Sequence, residues 1–373
     1  MPTERRTTTR LVPVPSDEAV LLEDGTLLLL PVRGGEQLQV DAPWGRMVHD
    51  VVIRGLAAED CVCEDDRPLF DATLRHLAAH GRLLPAERVS SVDVERYDRQ
   101  VRWFAQEGLD GPAAQRRLAT STVLVIGVGG FGSAVAEMLA RTGVGKLALV
   151  DIERVEEENL PRQLLYDDRD IGVRKAFAAA TRLEEIAPDL QAVAVEQEIT
   201  SGADVERLVR RFRPDLVVCA ADRPPIAVKS WLDEGAFGLG VPVMHGGSRP
   251  PYSYVGPLLV PGVTPCYSCF STSRSEPGAD ELERHVNAIR DAAPPSFPSV
   301  GWGDVTAAML AAGQVVAMLT GAHESAVLGR EWELDVRTLQ AEWMEALPER
   351  GVTHCERCDP EAHARPYDTR VTA

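Results

Sequence analysis

A glycine-rich segment follows one of the most strand-like stretches of the chain, Thr122–Ile126. It places four glycines within six residues, Gly127, Gly129, Gly130 and Gly132. Small residues let the backbone approach a phosphate closely, and the N-terminus of a helix favours an anion. Asp151 ends the next predicted strand, where a carboxylate can bind ribose hydroxyls. The segment predicts an adenine-nucleotide site, and by itself it fits a nicotinamide dehydrogenase equally well.

A second group of residues separates these possibilities. Asp151 is followed by Asn159-Leu-Pro-Arg162-Gln163 and then by Gly172-Val-Arg-Lys175. Together with the glycines, this pattern resembles the adenylation domain of the ThiF/MoeB and ubiquitin-activating family. Arg96-Tyr-Asp-Arg99-Gln100 resembles a helix of that family, and Ala220-Ala-Asp222 resembles its strand-end aspartate. The resemblance covers roughly residues 94–360 and leaves a dehydrogenase as a distant alternative, because a dehydrogenase does not account for Asn159 to Gln163.

The resemblance implies ATP-dependent transfer of AMP to a carboxylate, with release of pyrophosphate. Because two anions must meet, fixed cations would supply most of the catalysis by positioning and electrostatic stabilisation. The implied catalytic residues are Arg162 and Lys175 as phosphate clamps, Asp222 as the holder of Mg²⁺, and Arg99, which would reach the γ-phosphate from the other subunit of a homodimer. The implied nucleotide-binding residues are Gly127, Gly129, Gly130, Gly132, Asp151, Asn159 (a phosphate contact) and Gln163.

Four of the seven cysteines form two CxxC pairs, Cys266 with Cys269 and Cys355 with Cys358. Two such pairs can close a tetrahedral thiolate site for Zn²⁺ that leaves no position for water. Without a secretion signal, metal binding is favoured over disulfides. We therefore predict a structural zinc site, with His354 as an alternative ligand. Residues 271–354 contain no cysteine, whereas family members that form a thioester or persulfide carry one there, so we expect adenylation to be the main half-reaction.

Strand-like and helix-like segments alternate after residue 121. This alternation predicts an α/β fold with a doubly wound, Rossmann-like and mainly parallel sheet. The predicted strands are Thr122–Ile126, Lys146–Val150, Ala192–Val195, Leu216–Cys219 and Val241–Met244, and the predicted helices are Ala134–Arg141, Lys175–Ile186 and Asp204–Phe212.

The first 92 residues have a different character. Two apolar runs flank Glu23-Asp24-Gly25, which indicates a hairpin, and a third short strand ends at Val40. Apolar residues then recur at helical spacing from Trp44, and a second helix is predicted to end at Gly81. The pattern predicts a small α+β, winged-helix-like domain. It resembles the PqqD-like leader-binding domain of enzymes that modify ribosomally made peptides, where a leader can add as a strand to an open sheet edge.

Val255–Gly262 and Ala220–Pro224 further resemble microcin C-type adenylating enzymes, which pair such a domain with this catalytic domain. We expect a leader-peptide-binding domain at 1–92, an adenylation domain with structural zinc at 93–360 and a flexible tail at 361–373. The expected reaction is adenylation of the C-terminal carboxylate of a ribosomally made precursor peptide in natural-product biosynthesis. Two alternatives stay open, namely activation of a ubiquitin-like sulfur-carrier protein and a non-catalytic presenter of a leader peptide. Arg249 is either a substrate-carboxylate ligand or a surface residue.

The chain carries a formal net charge of −18. Such a charge repels nucleic acid and anionic membrane, so we expect neither as a partner, and a basic peptide fits better. Residues 1–10 show no signal-peptide pattern, which predicts a cytoplasmic protein. Thr, Gln and Gly residues interrupt the apolar stretch Val305–Gly321, so we predict a buried helix there and not a membrane span.

Overall fold

The computed structural model describes residues 11–13, 17–31, 37–54, 58–79, 82–86, 92–274 and 298–345, together with Cys355 and Cys358. The chain forms two compact units, residues 1–116 and 117–373. The functional boundary between residues 92 and 93 stays a prediction. The predicted helix end at Gly81 and the predicted tail 361–373 lie outside the described residues.

The described strands are β1 (Leu11–Pro13), β2 (Asp17–Leu21), β3 (Leu27–Pro31), β4 (Leu38–Val40), β5 (Leu83–Pro85), β6 (Thr122–Ile126), β7 (Lys146–Val150), β8 (Gln191–Val195), β9 (Leu216–Cys219), β10 (Val243–Arg249), β11 (Tyr252–Leu259), β12 (Arg330–Asp335) and β13 (Gln340–Glu345). The described α-helices are α1 (Trp44–Val48), α2 (Ala58–Cys61), α3 (Arg67–Ala79), α4 (Asp98–Gln106), α5 (Gly111–Thr120), α6 (Gly130–Arg141), α7 (Lys175–Ile186), α8 (Gly202–Phe212), α9 (Ala227–Gly235), α10 (Tyr267–Arg274) and α11 (Gly301–Thr320).

In the first unit, β2, β3 and β4 form the predicted antiparallel meander. The turn between β2 and β3 is held by Asp24, whose Oδ1 accepts a 2.8 Å hydrogen bond from the Thr26 N–H. Gly25 takes the positive φ of +92° that this turn requires. Leu27 and Leu29 alternate with half-buried residues along β3 and pack with the buried residues of α3. The pairing of β1 with β5 was not predicted, because three-residue strands carry almost no periodic signal.

In the second unit, β8, β7, β6, β9 and β10 form a parallel sheet in that spatial order. This is the 3-2-1-4-5 order of a doubly wound fold, which confirms the predicted fold class. All five strands predicted in this region are present, with β10 running further than expected. The structure adds β11, β12 and β13, which extend the sheet beyond β10 in antiparallel order.

The apolar helix α11 is part of the core of the second unit. It packs against α6, β10 and β11 along a face of buried alanines and valines. Within the described ranges it is the one helix with the length and composition of a membrane span, and 61% of its most apolar window is buried. Such burial is typical of a core helix, as the sequence predicted.

Candidate active site

The carboxyl ends of β6 and β9 meet at the point where the strand order reverses. Such a switch point is where open α/β sheets bind ligands. Gly127, after β6, has φ +91°, and a Cβ there would lie 2.8 Å from the carbonyl carbon and oxygen of Ala220. A Cβ on Gly132 would lie 2.7 Å from the Cβ of Ala220. Two of the four glycines therefore let the loop after β9, which carries Asp222, approach the glycine-rich loop.

Gln163 lies beside the open side of this loop. The nearest atom to a Cβ on Gly129 would be the Gln163 Nε2, 3.8 Å away, so the backbone there is accessible at short range. Gln163 is buried, and its Oε1 finds no hydrogen-bond partner among the described residues. A bare glycine backbone beside an orphaned buried acceptor fits a bound nucleotide.

Asp151 follows β7 and is tied into the same loop. Its Oδ2 accepts a 2.9 Å hydrogen bond from the Val128 N–H, and its Oδ1 accepts one of 2.8 Å from the Glu153 N–H. Burial raises the pKa of Asp151, and these two hydrogen bonds oppose that rise. Each carboxylate oxygen keeps a free lone pair, so the position fits the predicted ribose contact.

Lys175 is the first residue of α7, and its side chain is only 4% exposed. Its Nζ lies 2.6 Å from Glu153 Oε2, a partner that the sequence analysis did not find. Burial acts to raise the pKa of Glu153, but the hydrogen bond and charge of Lys175 outweigh it, so the net pKa is lowered. Arg162 and Arg223 also act on Glu153, which places three cations around one carboxylate.

Asn159 ends the short 3₁₀ turn Glu157–Asn159 and is buried. Its Oδ1 accepts from the Glu156 N–H at 3.1 Å, and its carbonyl oxygen accepts from the backbone N–H groups of Arg162 and Gln163. Asn159 therefore shapes the turn that presents Arg162 and Gln163. Its phosphate contact stays a prediction.

Arg162, Asp222 and Asp304 share one electrostatic neighbourhood. Asp304, in the first turn of α11, lies against Gly130 and accepts a 2.9 Å hydrogen bond from the Ser299 hydroxyl. Burial raises its pKa to about 6, and Asp222 adds to this rise while Ser299 and Arg162 oppose it. The sequence analysis missed Asp304. A lone acidic residue opening an otherwise apolar helix was the available signal.

Replacing Asp304 by asparagine should stabilise the fold at neutral pH. The pKa of Asp304 is raised from the ordinary 3.8 to about 6, so folding favours the protonated side chain. The resulting stabilisation is fully present below about pH 4 and is lost as the pH rises through about 6. Asparagine resembles the protonated form, so the free energy of unfolding at pH 7 should rise by up to about 3 kcal/mol. Urea unfolding at pH 4 and pH 7 measures this. Asp189→Asn at an exposed position is the control, and equal pH dependence in both variants would contradict the assignment.

Tyr166 contacts both the glycine-rich loop and the start of α7, and the sequence analysis did not predict it. Its hydroxyl donates to the Val128 carbonyl oxygen at 2.7 Å and lies 3.4 Å from the Lys175 carbonyl oxygen. Burial raises its pKa well above 10, so it stays a donor. It thereby links the glycine-rich loop to the start of α7.

Arg99 was also predicted to act on the nucleotide. It lies on α4 in the first unit with an exposed side chain. Its role across a dimer stays a prediction.

The four predicted zinc ligands come together. The sulfur atoms of Cys266, Cys269, Cys355 and Cys358 all lie within 4.8 Å of one another. Three of the Sγ–Sγ distances are 3.6, 3.7 and 3.7 Å. Tetrahedral Zn²⁺ with Zn–S bonds of about 2.3 Å places sulfurs about 3.8 Å apart. The cluster can therefore hold Zn²⁺ without rearrangement.

Asp233 on α9 orients the first cysteine pair. Its carboxylate accepts from the N–H groups of Tyr267 (2.9 Å) and Ser268 (2.8 Å) and from the Ser268 hydroxyl (3.0 Å). These bonds cap the start of α10, between Cys266 and Cys269. Burial raises the pKa of Cys266, and it raises that of Cys269 to about 11, so the thiols hold their protons until a metal displaces them.

These features define an α/β domain with a glycine-rich loop at the sheet's switch point, a group of cations around Glu153 and a four-cysteine cluster. Comparison with known proteins agrees. The family model "ThiF family" matches residues 97–356. The chain therefore belongs to the ThiF family, and it is an ATP-dependent adenylyltransferase.

Two curated relatives illustrate the range of the family. The SAMP-activating enzyme E1 of Haloferax volcanii is 35% identical over 190 residues, which cover 50% of this chain and 67% of that protein. The molybdopterin-synthase adenylyltransferase of Escherichia coli is 29% identical over 272 residues, which cover 72% of this chain and 98% of that protein. Both match a smaller share of the chain than the solved structures do.

Among solved structures, the crystal structure of E. coli MccB with ATP has a TM-score of 0.68 at 21% identity, and covers 90% of this chain and 96% of that one. The microcin C7 biosynthetic enzyme MccB in complex with N-formylated MccA has a TM-score of 0.69 at 20% identity, with the same coverage. At this identity the likeness shows the fold. It confirms the resemblance to microcin C-type enzymes.

Proposed function

We propose that the chain adenylates the C-terminal carboxylate of a ribosomally made precursor peptide in natural-product biosynthesis, with Mg²⁺ as cofactor. The observation that carries the proposal is the first unit. The structural similarity to MccB covers 90% of the chain. The uncovered tenth is shorter than the first unit, so the similarity must include much of that unit. By contrast, the match to the SAMP-activating enzyme covers 50% of the chain.

The first unit offers a place for an extended leader. In the described sheet, β4 is an edge strand next to β3. Beside it runs a groove of about 390 Å³, lined by residues of β4, the turn after it, α1 and α3: Leu38, Gln39, Val40, Asp41, Trp44, Ala72, Thr73, His76 and Leu77. A peptide that adds as a strand to such an edge takes affinity from backbone hydrogen bonds and specificity from the groove.

The geometry supports a direct displacement. A carboxylate oxygen of the peptide attacks the α-phosphorus of ATP, the bond to the β-phosphate oxygen breaks, and pyrophosphate leaves. When ATP binds, Lys175 leaves its ion pair with Glu153 and pairs with a phosphate of ATP. Arg162 neutralises the negative charge that develops on the phosphoryl oxygens. Carboxylate oxygens are preferred Mg²⁺ ligands, and Asp222 would hold this ion, which when bound screens the triphosphate.

Two further assignments complete the proposal. Cys266, Cys269, Cys355 and Cys358 hold a structural Zn²⁺ that ties the C-terminal segment to α10. Arg99 acts on the γ-phosphate of the ATP that is bound to a second copy of the chain, so the active form is a homodimer.

Pyrophosphate exchange tests the reaction. Labelled pyrophosphate should enter ATP only when the peptide encoded beside the gene is present with a free C-terminus, and the amidated peptide should be inert. Exchange that requires a ubiquitin-like sulfur carrier instead would establish the alternative suggested by the curated relatives. Tight peptide binding without exchange would establish a leader presenter.

Filling the groove should weaken peptide binding without removing catalysis. Ala72→Trp should raise the peptide Kd about tenfold or more, because the indole occupies the space beside β4. Exchange at saturating peptide should stay near the wild-type rate. Ala79→Trp, at an exposed position of the same helix that does not line the groove, is the matched control. Equal peptide affinity in both variants would show that the groove does not bind the peptide and that the first unit has a purely structural role.

A further inference from the structure

A group of polar side chains lies behind the carboxyl ends of β9 and β10 and has no role in the mechanism above. The Lys229 cluster consists of Lys229 on α9, His245 on β10, Tyr254 on β11 and Tyr267 on α10. His245 pairs in parallel register with Cys219, the last residue of β9. The chain then runs through two alanines to Asp222, so the cluster adjoins the proposed catalytic loop.

His245 is buried without a hydrogen bond. It is 2% exposed, and neither ring nitrogen has a partner among the described residues. It sits where the register between β10 and β11 shifts, an irregularity that often re-aims a side chain beside an active site. Burial and the charge of Lys229 lower its pKa well below 6.5. The neutral ring offers one donor and one acceptor, and no described residue bonds to either.

Lys229 is a half-buried cation that forms no ion pair with a described residue. Its Nζ lies 5.0 Å from the Tyr267 ring centroid and 5.9 Å from that of Tyr254, and no ion pair in the described part of the chain includes it. Burial raises the pKa of Cys219 to about 11 and also raises that of Tyr254, so neither supplies a negative charge at neutral pH. Lys229 is half-buried and hydrogen-bonds to the Tyr267 hydroxyl. Asp233, one turn further along α9, is held by the N–H groups of Tyr267 and Ser268, so no described carboxylate forms an ion pair with Lys229.

Lys229 and His245 flank the same ring. The His245 ring centroid lies 4.9 Å from that of Tyr267, on which Lys229 also packs. We propose that the Lys229 cluster binds a carboxylate of the peptide substrate, paired with the Lys229 ammonium and hydrogen-bonded by the neutral His245. The inference rests on the proposed function and names the chemistry of the peptide end that enters the site. The bound group is either the α-carboxylate to be adenylated or the side chain of an acidic terminal residue.

Other ligands fit the cluster less well. A metal ion at His245 and Cys219 would be repelled by the Lys229 ammonium. The triphosphate carries several charges and already has Arg162 and Lys175, whereas a single ammonium between two aromatic rings suits a single negative charge.

Binding is tested without ATP or peptide, with acetate as the probe. Thermal unfolding is followed in sodium acetate and in sodium chloride of equal ionic strength. Acetate should raise the midpoint of the wild type above its value in chloride and should lose this effect in Lys229→Met and His245→Phe. Lys146→Met is the matched control, because Lys146 also lies over an aromatic ring (5.7 Å from Phe212) but at the start of β7, at the opposite end of the strands. Midpoints in chloride establish that each variant folds.

Pyrophosphate exchange then identifies the carboxylate. Lys229→Met should raise KM about tenfold or more for a precursor peptide ending in Asp, with a smaller change in kcat. An equal rise for the same peptide ending in Asn assigns the α-carboxylate, and no rise assigns the side chain. If Lys229→Met matches Lys146→Met both in KM and in the acetate effect, the carboxylate site is excluded. An acetate effect that depends on Lys229, with no exchange for any peptide, supports the anion site and contradicts the proposed function.

Discussion

Replacing Lys175 by methionine should lower kcat/KM for pyrophosphate exchange by ~10²–10³-fold while leaving the fold intact. The reaction brings a carboxylate to a triphosphate, and Lys175 is a buried cation at the start of α7, beside the glycine-rich loop. Methionine preserves the volume and removes only the charge. Stability should change little, because the Glu153 side chain that loses its partner is 56% exposed and can be solvated by water.

Glu153→Gln is the control for this experiment. It removes the partner and keeps the cation, so exchange should stay within a few fold of the wild type. Circular dichroism and the unfolding midpoint check that both variants fold. Wild-type exchange in Lys175→Met would contradict the phosphate role, and an equal loss in Glu153→Gln would show that the ion pair matters for structure and not for the charge presented to ATP.

Removing zinc should produce the largest loss of stability. Purified protein should contain about one zinc per chain, and chelation should lower the unfolding midpoint by at least about 10 °C, because binding of a structural zinc is folding free energy. Cys358→Ser should have the same effect, because a buried hydroxyl replaces a thiolate ligand. Metal analysis and thermal unfolding provide the two measurements.

Cys63→Ser is the matched control for zinc, since Cys63 is an exposed cysteine of the first unit and lies outside the cluster. Its zinc content and midpoint should equal those of the wild type. A metal-free protein whose midpoint does not change on adding zinc would refute the site. Because the cluster anchors the start of α10, zinc loss should also disturb Tyr267 and hence the acetate effect at Lys229.

Local patterns in the sequence predicted most of the candidate nucleotide site. A glycine loop after a strand, followed by Asp151 and then by Asn159 to Lys175, requires no long-range information, because phosphate binding by a strand–loop–helix unit depends on neighbouring residues. The parallel strands were likewise predictable, since continuous apolar runs such as Leu216–Cys219 indicate burial on both faces. The two CxxC pairs were recognisable by spacing alone, although the 3.6 Å approach of Cys266 to Cys355 spans 89 residues.

Only the tertiary structure decided which groups neutralise or orient these residues. Glu153 contacts Lys175 because an isolated bridge between Arg154 and Arg174 brings the two segments together. Asp304 reaches Gly130 across 174 residues, through the packing of α11 on α6.

The antiparallel strands β11 to β13 also escaped prediction. β12 and β13 are partly exposed and show only weak alternation, whereas β11 is largely buried but contains Gly256 and Pro257, which are unfavourable within strands. The Lys229 cluster depends on four separate elements meeting behind β9 and β10. The sequence by itself thus predicted the chemistry of the candidate phosphate and zinc sites. Only the fold decided the charges around them and placed the buried imidazole of His245 without a described hydrogen-bond partner, because those contacts join residues with no common local pattern.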